Sequence, residues 1–362
     1  MCAGFSVPKT ETVYFTIHAG ERIYKVTDEL LRGGWWNEQA QKEHRGGRTL
    51  FEKAADSCDF QKDFPDIWRL VQRISRDVER RAYDGHVQFH PGARSHHERF
   101  TVTGAQSGYD LDEERLCQDI LGALKSGSHK VITAKIKVKQ PRAEQDVISK
   151  LGFRGGYTTY FEPNPCRQHN IELALRSFNG LSVRSGETVS FNKVVGPRTR
   201  ARGYQEAKII LCGEFVPGVG GGVCQASTTL FNALLLAGLK IDKSYNHSRA
   251  ISYVPIGRDA MVSSAADLRF TNNTGGTVYI ETGVNPACQK SGSAWVRIYG
   301  NKTGIRYKPK TVVTESELGE DEVDPARQSR TYIEAWSGDR LVHSKLVRKS
   351  KYNAVKRSND PA

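Results

Sequence analysis

The chain has 362 residues and a formal charge of +13, with 38% hydrophobic and 26% charged residues. That length accommodates two or three domains and at least one sizeable core, and the positive balance calls for an acidic neighbour such as nucleic acid, an anionic membrane or a polyanionic cell wall. An aromatic-rich ribonucleoprotein strand, paired zinc-finger spacings and heptads on a basic region are all missing, which argues against nucleic acid; no window approaches the roughly 18 apolar residues that span a bilayer.

The first twenty residues lack a basic start and an apolar signal core. The expectation is a cytoplasmic protein or an export segment lying outside this chain. Thr12–Ile17 predicts a strand that turns at Gly20-Glu21 into Arg22–Val26, within a small β-containing unit over 1–62. Arg32 to Arg48, with four glycines and two tryptophans, reads as a surface loop.

Over 63–150 the pattern is α+β. Ile67, Leu70, Val71, Ile74 and Val78 recur at helical spacing, as do Leu116, Ile120, Leu121 and Leu124. Asp110 or Asp112 is the expected cap of the second helix. Short strands are expected at Val87–Phe89, Arg99–Val102 and Val131–Val138.

The segment 151–300 carries the chemistry. A helix over Asn170–Phe178 stops at Asn179-Gly180, and Thr188–Phe191 follows as a strand. Gly220-Gly221-Gly222 then runs into Cys224, which opens a helix with Ala226, Leu230, Ala233, Leu234 and Ala237 on one side and Phe231, Leu235 and Leu236 on the others. Apolar residues almost all round predict a buried helix, with Gly238 as its stop and Leu239 as the hydrophobic residue after it. Strands are expected at Ala250–Val254, Met261–Val262, Leu268–Phe270 and Thr277–Glu281. In the C-terminal extension, 301–362, Glu315–Asp324 reads as an acidic linker, Thr331–Trp336 and Arg340–Val347 as a hairpin across Ser337-Gly338-Asp339, and the basic end as frayed. The fold class is α+β with several domains, the core domain packing a buried helix on an antiparallel sheet.

Seven cysteines, at 2, 58, 117, 166, 212, 224 and 288, are scattered rather than spaced as a disulfide framework, so they read as mostly reduced. Cys224 is distinct. A helix N-terminus has unpaired N–H groups and a positive partial charge, and both favour a thiolate and an oxyanion beside it. His247, 23 residues on, is the candidate general base, and Asp259, twelve residues further, the group that orients it. The N–H of Cys224 or Gln225 is the candidate oxyanion donor. Arg258 competes for Asp259, and a cysteine beside glycines is also a common buried core residue. Arg198, Arg200 and Arg202 alternate as if on one side of a strand; with Tyr204, Gly221, Gly222, Gln225 and Arg258 the first two complete the candidate substrate-contacting set. Ser227, Thr228 and Thr229 are expected to satisfy backbone groups. Cys166-x-x-His169 is half of a zinc site without a visible second half, and His86, His90, His96 and His97 fall in a loop, so no metal or other cofactor is expected.

Several of these runs resemble the VanW family. They are Asn170-Ile171, Asn179-Gly180, Phe191-Asn192, Val195–Thr199, Gly203-Tyr204, Glu206-Ala207, Gly220–Gln225, Ser227–Leu230, His247-Ser248, Tyr253–Ala260 and Asp267-Leu268, together covering about 153–283. Residues 63–148 resemble the α+β module, regarded as peptidoglycan-binding, that often precedes VanW domains. The resemblance implies a bacterial cell-envelope protein with peptidoglycan or another anionic wall polymer as partner, in a family with some members encoded near glycopeptide-resistance genes. The order of Cys224, His247 and Asp259 is similar in layout to transglutaminase-like and papain-like enzymes, with an unusually short interval from cysteine to histidine. Two functions remain open from sequence: a cysteine-dependent acyl-transfer or peptide-bond-acting enzyme on peptidoglycan, and a non-catalytic wall-binding accessory linked to glycopeptide resistance. A cytoplasmic accessory factor is the third. The oligomeric state is not legible.

Overall fold

A computed structural model describes residues 13–27, 59–126, 131–211, 214–288, 291–319 and 321–356. The Arg32–Arg48 loop, Cys2, Cys58, Cys212 and the basic end beyond residue 356 lie outside them. The described residues fall into two compact units, Met1–His86 with Val102–Ala143 and Val87–Thr101 with Glu144–Ala362.

In the first unit, Val13–Ala19 and Arg22–Thr27 form a hairpin across Gly20, whose φ of +64° suits the turn. Val131–Thr133 adds to the other side of Val13–Ala19 in parallel. The helix Pro65–Val78 starts on a proline, which loses no intrahelical bond there, and buries Ile67, Leu70, Val71 and Ile74 on one face. They meet Leu116, Ile120 and Leu121 of the helix Glu113–Ser126, together with Phe15, Ile17 and Ile132. Of the two expected caps, Asp112 accepts from the Arg115 N–H at 3.4 Å, whereas Asp110 pairs with Lys139 at 2.6 Å.

The second unit is built on a four-stranded antiparallel sheet in the order Leu151–Phe161, Ser291–Asn301, Val278–Cys288, Ser182–Val183. The helix Val223–Ala237 packs on the first two strands and the helix Pro165–Arg176 on the third. Phe89 and Phe100 from the 87–101 segment join this unit by packing on Tyr279 at 5.3 and 5.4 Å between ring centroids. The helix Val223–Ala237 is buried along nearly its whole length, as its composition predicts. Gly238, at φ +77°, ends it; the Leu239 N–H closes back on Leu234 O at 3.0 Å and the Leu239 side chain is buried.

Smaller antiparallel arrays surround the four-stranded sheet. Thr188–Ser190, Arg269–Thr271 and Lys240–Lys243 form one, and Glu206–Leu211 pairs with Glu214–Val219. Ile305–Glu315, Arg327–Ser337 and Arg340–Tyr352 form the C-terminal sheet. The molecule is therefore mixed α+β with many antiparallel sheets and few helices.

Several expected elements differ. Ala250–Val254 is a turn rather than a strand: Pro255 follows and offers no N–H to a ladder, and the run faces the cleft described below. Met261 makes only an isolated bridge to Tyr245. Phe191 begins a short helix, Phe191–Val195, instead of ending a strand, because Ser190 caps it by accepting from the Lys193 N–H. Arg200–Arg202 is a 3-10 turn closed by Gly203 at φ +88°, so the three arginines do not line a strand. The acidic linker is partly structured: Glu322–Asp324 pairs with Val355–Lys356. The C-terminal hairpin extends past Val347 to Tyr352.

Candidate active site

Gly220 and Gly222 adopt φ of +86° and +109°, which side-chain-bearing residues rarely accept, and they turn the chain from the strand Glu214–Val219 into the helix. Gly221 passes so close to Ala207 that a Cβ would lie 2.6 Å from its backbone. Asn170, fully buried, pins this crossing: its Nδ2 donates to Gly221 O at 3.0 Å and Gln205 O at 2.9 Å, and its Oδ1 accepts from the Gln205 N–H at 2.8 Å. Cys224 is thereby fixed as the second residue of the helix, partly exposed, with its thiol 3.4 Å from Val262 O.

The polar side chains of the helix position the third group. Thr228 accepts from the Ala260 N–H at 2.9 Å, Ser227 donates to Ala260 O, and Asn232 donates to Arg258 O at 2.8 Å. Residues 258–260 are thus held along the helix with Asp259 turned inward. Ser227, Thr228 and Thr229 do satisfy backbone groups, as expected from sequence.

His247 and Asp259 are both buried. One carboxylate oxygen, Oδ2, accepts from the His247 backbone N–H and lies 2.7 Å from Nδ1, which assigns the Nδ1 proton to that bond. The opposite ring nitrogen is left free of Asp259, and the thiol and the imidazole act on one another's titration. Burial alone would raise the Cys224 thiol, yet the His247 hydrogen bond and charge outweigh it and hold the thiol below its ordinary value. Burial likewise pulls His247 down, but Asp259 and the thiolate push it up to about 9. Burial would raise Asp259, and His247 and Arg348 hold it below the usual carboxylate range. All three directions favour a thiolate, an imidazolium and a carboxylate in series. His247 and Asp259 sit in irregular segments rather than on neighbouring strands; the bridge between Tyr245 and Met261 is what joins those segments.

A further pair of residues emerges from the C-terminal sheet. The other carboxylate oxygen of Asp259 accepts from Tyr352 OH at 2.6 Å and from Arg348 Nη2 at 3.3 Å; Arg348 also donates to Asp259 O at 2.7 Å and Gly257 O at 3.1 Å. Arg348, Ser350 and Tyr352 alternate along the strand and all turn inward. That two-residue period was the available signal, masked because an arginine beside lysines reads as a solvated tail.

A cleft of about 1670 Å³ opens over the glycine turn. Of the expected residues, Arg198, Gly221, Gly222, Cys224, Gln225 and His247 line it. Gln225 also anchors the helix start, donating to Tyr160 O at 2.8 Å and Thr159 Oγ1 at 3.1 Å. Arg200, Tyr204 and Arg258 do not line the cleft. Arg200 pairs with Glu206 and Tyr204 is buried. Arg258 donates to Asn232 Oδ1 at 2.7 Å and stacks over Tyr157, so it does not compete for Asp259. The Gln225 N–H is already bonded to Gly222 O at 2.9 Å, whereas that of Cys224 has no acceptor among the described residues. His169 bonds to Gly203 O and His96 to Ile148 O, and among the described residues no group of three or more His, Cys, Asp or Glu side chains is arranged to hold a metal ion. Among those residues, no helix is long and apolar enough to cross a membrane.

A Cys–His–Asp series at the mouth of a glycine-turned helix, its histidine and aspartate buried and its cysteine partly exposed, defines the class to which the family comparisons speak. The family model described as VanW like protein matches residues 166–291, which contain all three groups. The uncharacterized protein YoaR of Bacillus subtilis (strain 168) is 36% identical over 219 residues, 59% of this chain and 68% of that protein. The vancomycin B-type resistance protein VanW of Enterococcus faecalis (strain ATCC 700802 / V583) is 29% identical over 133 residues, 34% of this chain and 47% of that protein. No solved structure matches. The chain belongs to the VanW family.

Proposed function

We propose that this protein acts in the bacterial cell envelope as a cysteine-dependent enzyme that transfers or hydrolyses acyl groups of peptidoglycan stem peptides. The observation that carries the reading is the 2.7 Å contact of His247 Nδ1 with Asp259, in a site where the imidazole holds the Cys224 thiol below its ordinary value. The vancomycin-resistance name of one relative and the chain's net charge of +13 support an anionic wall polymer as the partner.

The chemistry follows from the residues. The Cys224 thiolate attacks the carbonyl carbon, and the oxygen that gains charge lies toward the Cys224 N–H. His247, protonated, gives its proton to the departing amine, leaving a thioester on Cys224. A water or a second amine then loses a proton to His247 as it attacks the thioester, and the thiol leaves as thiolate. Asp259 keeps the imidazole oriented and stabilises its charged form throughout, and Arg348 and Tyr352 hold Asp259. A cysteine opening a buried helix, followed by histidine and aspartate, supports a transglutaminase-like or papain-like layout. The cleft exceeds the volume of an ordinary small-molecule pocket, which suits a segment of polymer.

The test is incubation of the protein with purified muropeptides and mass spectrometry of the products. Conversion by the wild type and none by folded Cys224→Ala supports the enzyme. Binding of muropeptides by both without conversion overturns it in favour of a wall-binding accessory.

A further inference from the structure

Two arginines flank the turn that leads into Cys224. Gly220 packs against the stem of Arg198, where an added Cβ would stand 3.2 Å from Arg198 Cβ; on the other side, a Cβ on Gly222 would stand 3.0 Å from Arg167 Cγ. The glycines therefore make room for both arginine stems as well as for the turn itself. Each guanidinium is held by a neutral amide oxygen, Arg167 by Gln225 Oε1 at 2.9 Å and Arg198 by Asn192 Oδ1, and each lies over an aromatic ring, Tyr253 and Phe191 respectively. Elsewhere in the same unit Arg200, Arg269 and Arg327 pair directly with carboxylates. Among the described residues neither Arg167 nor Arg198 pairs with one, although both line the cleft. Of the two carboxylate residues lining the cleft, Asp324 pairs with Arg327 and Glu162 is exposed to solvent.

We propose that Arg167 and Arg198 form an anion subsite beside Cys224, and that the acyl substrate carries a carboxylate. The subsite deepens the acyl-transfer reading and rests on it. A guanidinium presents donors in a plane that matches a carboxylate, and here amide anchors and ring contacts fix the orientation before the ligand arrives. His247 already supplies the counter-charge of the thiolate, so a second anion is needed to complete the charge pattern. A peptide ending in a free carboxylate, as stem peptides do, is the class that fits.

The experiment compares two alkylating reagents of the same reaction, iodoacetate and iodoacetamide. In each the thiolate sulfur bonds to the reagent carbon and iodide leaves; only the charge of the reagent differs. The ratio of the two rates at Cys224, followed by mass spectrometry, is divided by the same ratio for 2-mercaptoethanol. The thiolate fraction cancels, so any effect of Arg198 on the thiol itself drops out. At low ionic strength the normalised preference for iodoacetate is expected to be about tenfold, and to fall toward unity in about 0.5 M salt. It is expected to be lost in the double variant Arg167→Gln/Arg198→Gln and largely kept in Arg198→Lys. A wild-type ratio near unity at low salt, insensitive to added salt, overturns the subsite whether or not the variants fold. An unactivated Cys224 would fail differently: both reagents would then require alkaline pH, where the ratio still reads the subsite.

Discussion

Asp112 in the first unit and Asp259 in the second are both held below the ordinary carboxylate range, for different physical reasons. Asp112 is held down first by Lys137, whose Nζ lies 3.2 Å away at the surface, and water screens that pair. At Asp259 burial works in the opposite direction, and only His247, Arg348 and Tyr352 together overcome it. The surface pair tolerates loss of a partner because solvent replaces it. The buried series does not, since each removal leaves a charge or a donor with no substitute. The same direction of shift thus marks a solvated surface pair in one unit and a buried, multiply bonded carboxylate in the other.

The largest effect that this contrast predicts is for Asp259→Ala. It strands the Arg348 guanidinium and frees the imidazole, and it should cost about 3–5 kcal/mol in urea unfolding. A loss no greater than that of an exposed substitution would erase the distinction between the two aspartates.

Next is the dependence of stability on pH. His247 is raised in the fold, so its contribution is complete below its ordinary value of 6.5 and disappears as pH climbs through about 9. Cys224 is lowered, so its contribution is complete above its ordinary value of 9.0 and disappears as pH falls through its value in the fold. With the thiol deprotonated in the fold, the pair binds one proton both folded and unfolded between 6.5 and about 9. Its share of stability should therefore be level there, stay level above about 9, where neither state holds that proton, and decline as pH falls below 6.5. Urea midpoints of wild type minus His247→Ala across that range provide the check; a steady slope through it contradicts the ion pair.

Tyr352→Phe removes the hydrogen bond to the charged Asp259 and the acceptor of the Gly257 N–H, and should cost about 2–3 kcal/mol, with Cys224 alkylation shifted to higher pH. Stability loss without any shift in alkylation would reduce Tyr352 to a packing role. The smallest effect is for Lys137→Met, where the unfolding midpoint should not move measurably; a clear drop would show that the surface pair is more than decoration.

What could be read in advance was local. The glycine turn, the buried helix and its Gly238 stop, and the order of Cys224, His247 and Asp259 all follow from composition within a few turns of chain. The supports of Asp259 are 89 and 93 residues away on a strand whose sequence resembles a basic tail, so no local pattern announced Arg348 or Tyr352. Arg167 was hidden similarly, on a helix separate from the glycine turn it packs against. Ala250–Val254 alternates like a strand, yet it serves the cleft, where tertiary demand overrides a short β-like pattern.

The most direct measurement is the rate of Cys224 alkylation by iodoacetamide as a function of pH, in the wild type and in His247→Ala, read by mass spectrometry. The wild type should react rapidly near neutrality with little dependence on pH there, and His247→Ala should slow about tenfold or more, recovering only toward the ordinary thiol range of ~8.5. A wild-type rate that climbs with a midpoint of ~8.5 and ignores the histidine would contradict the poised site.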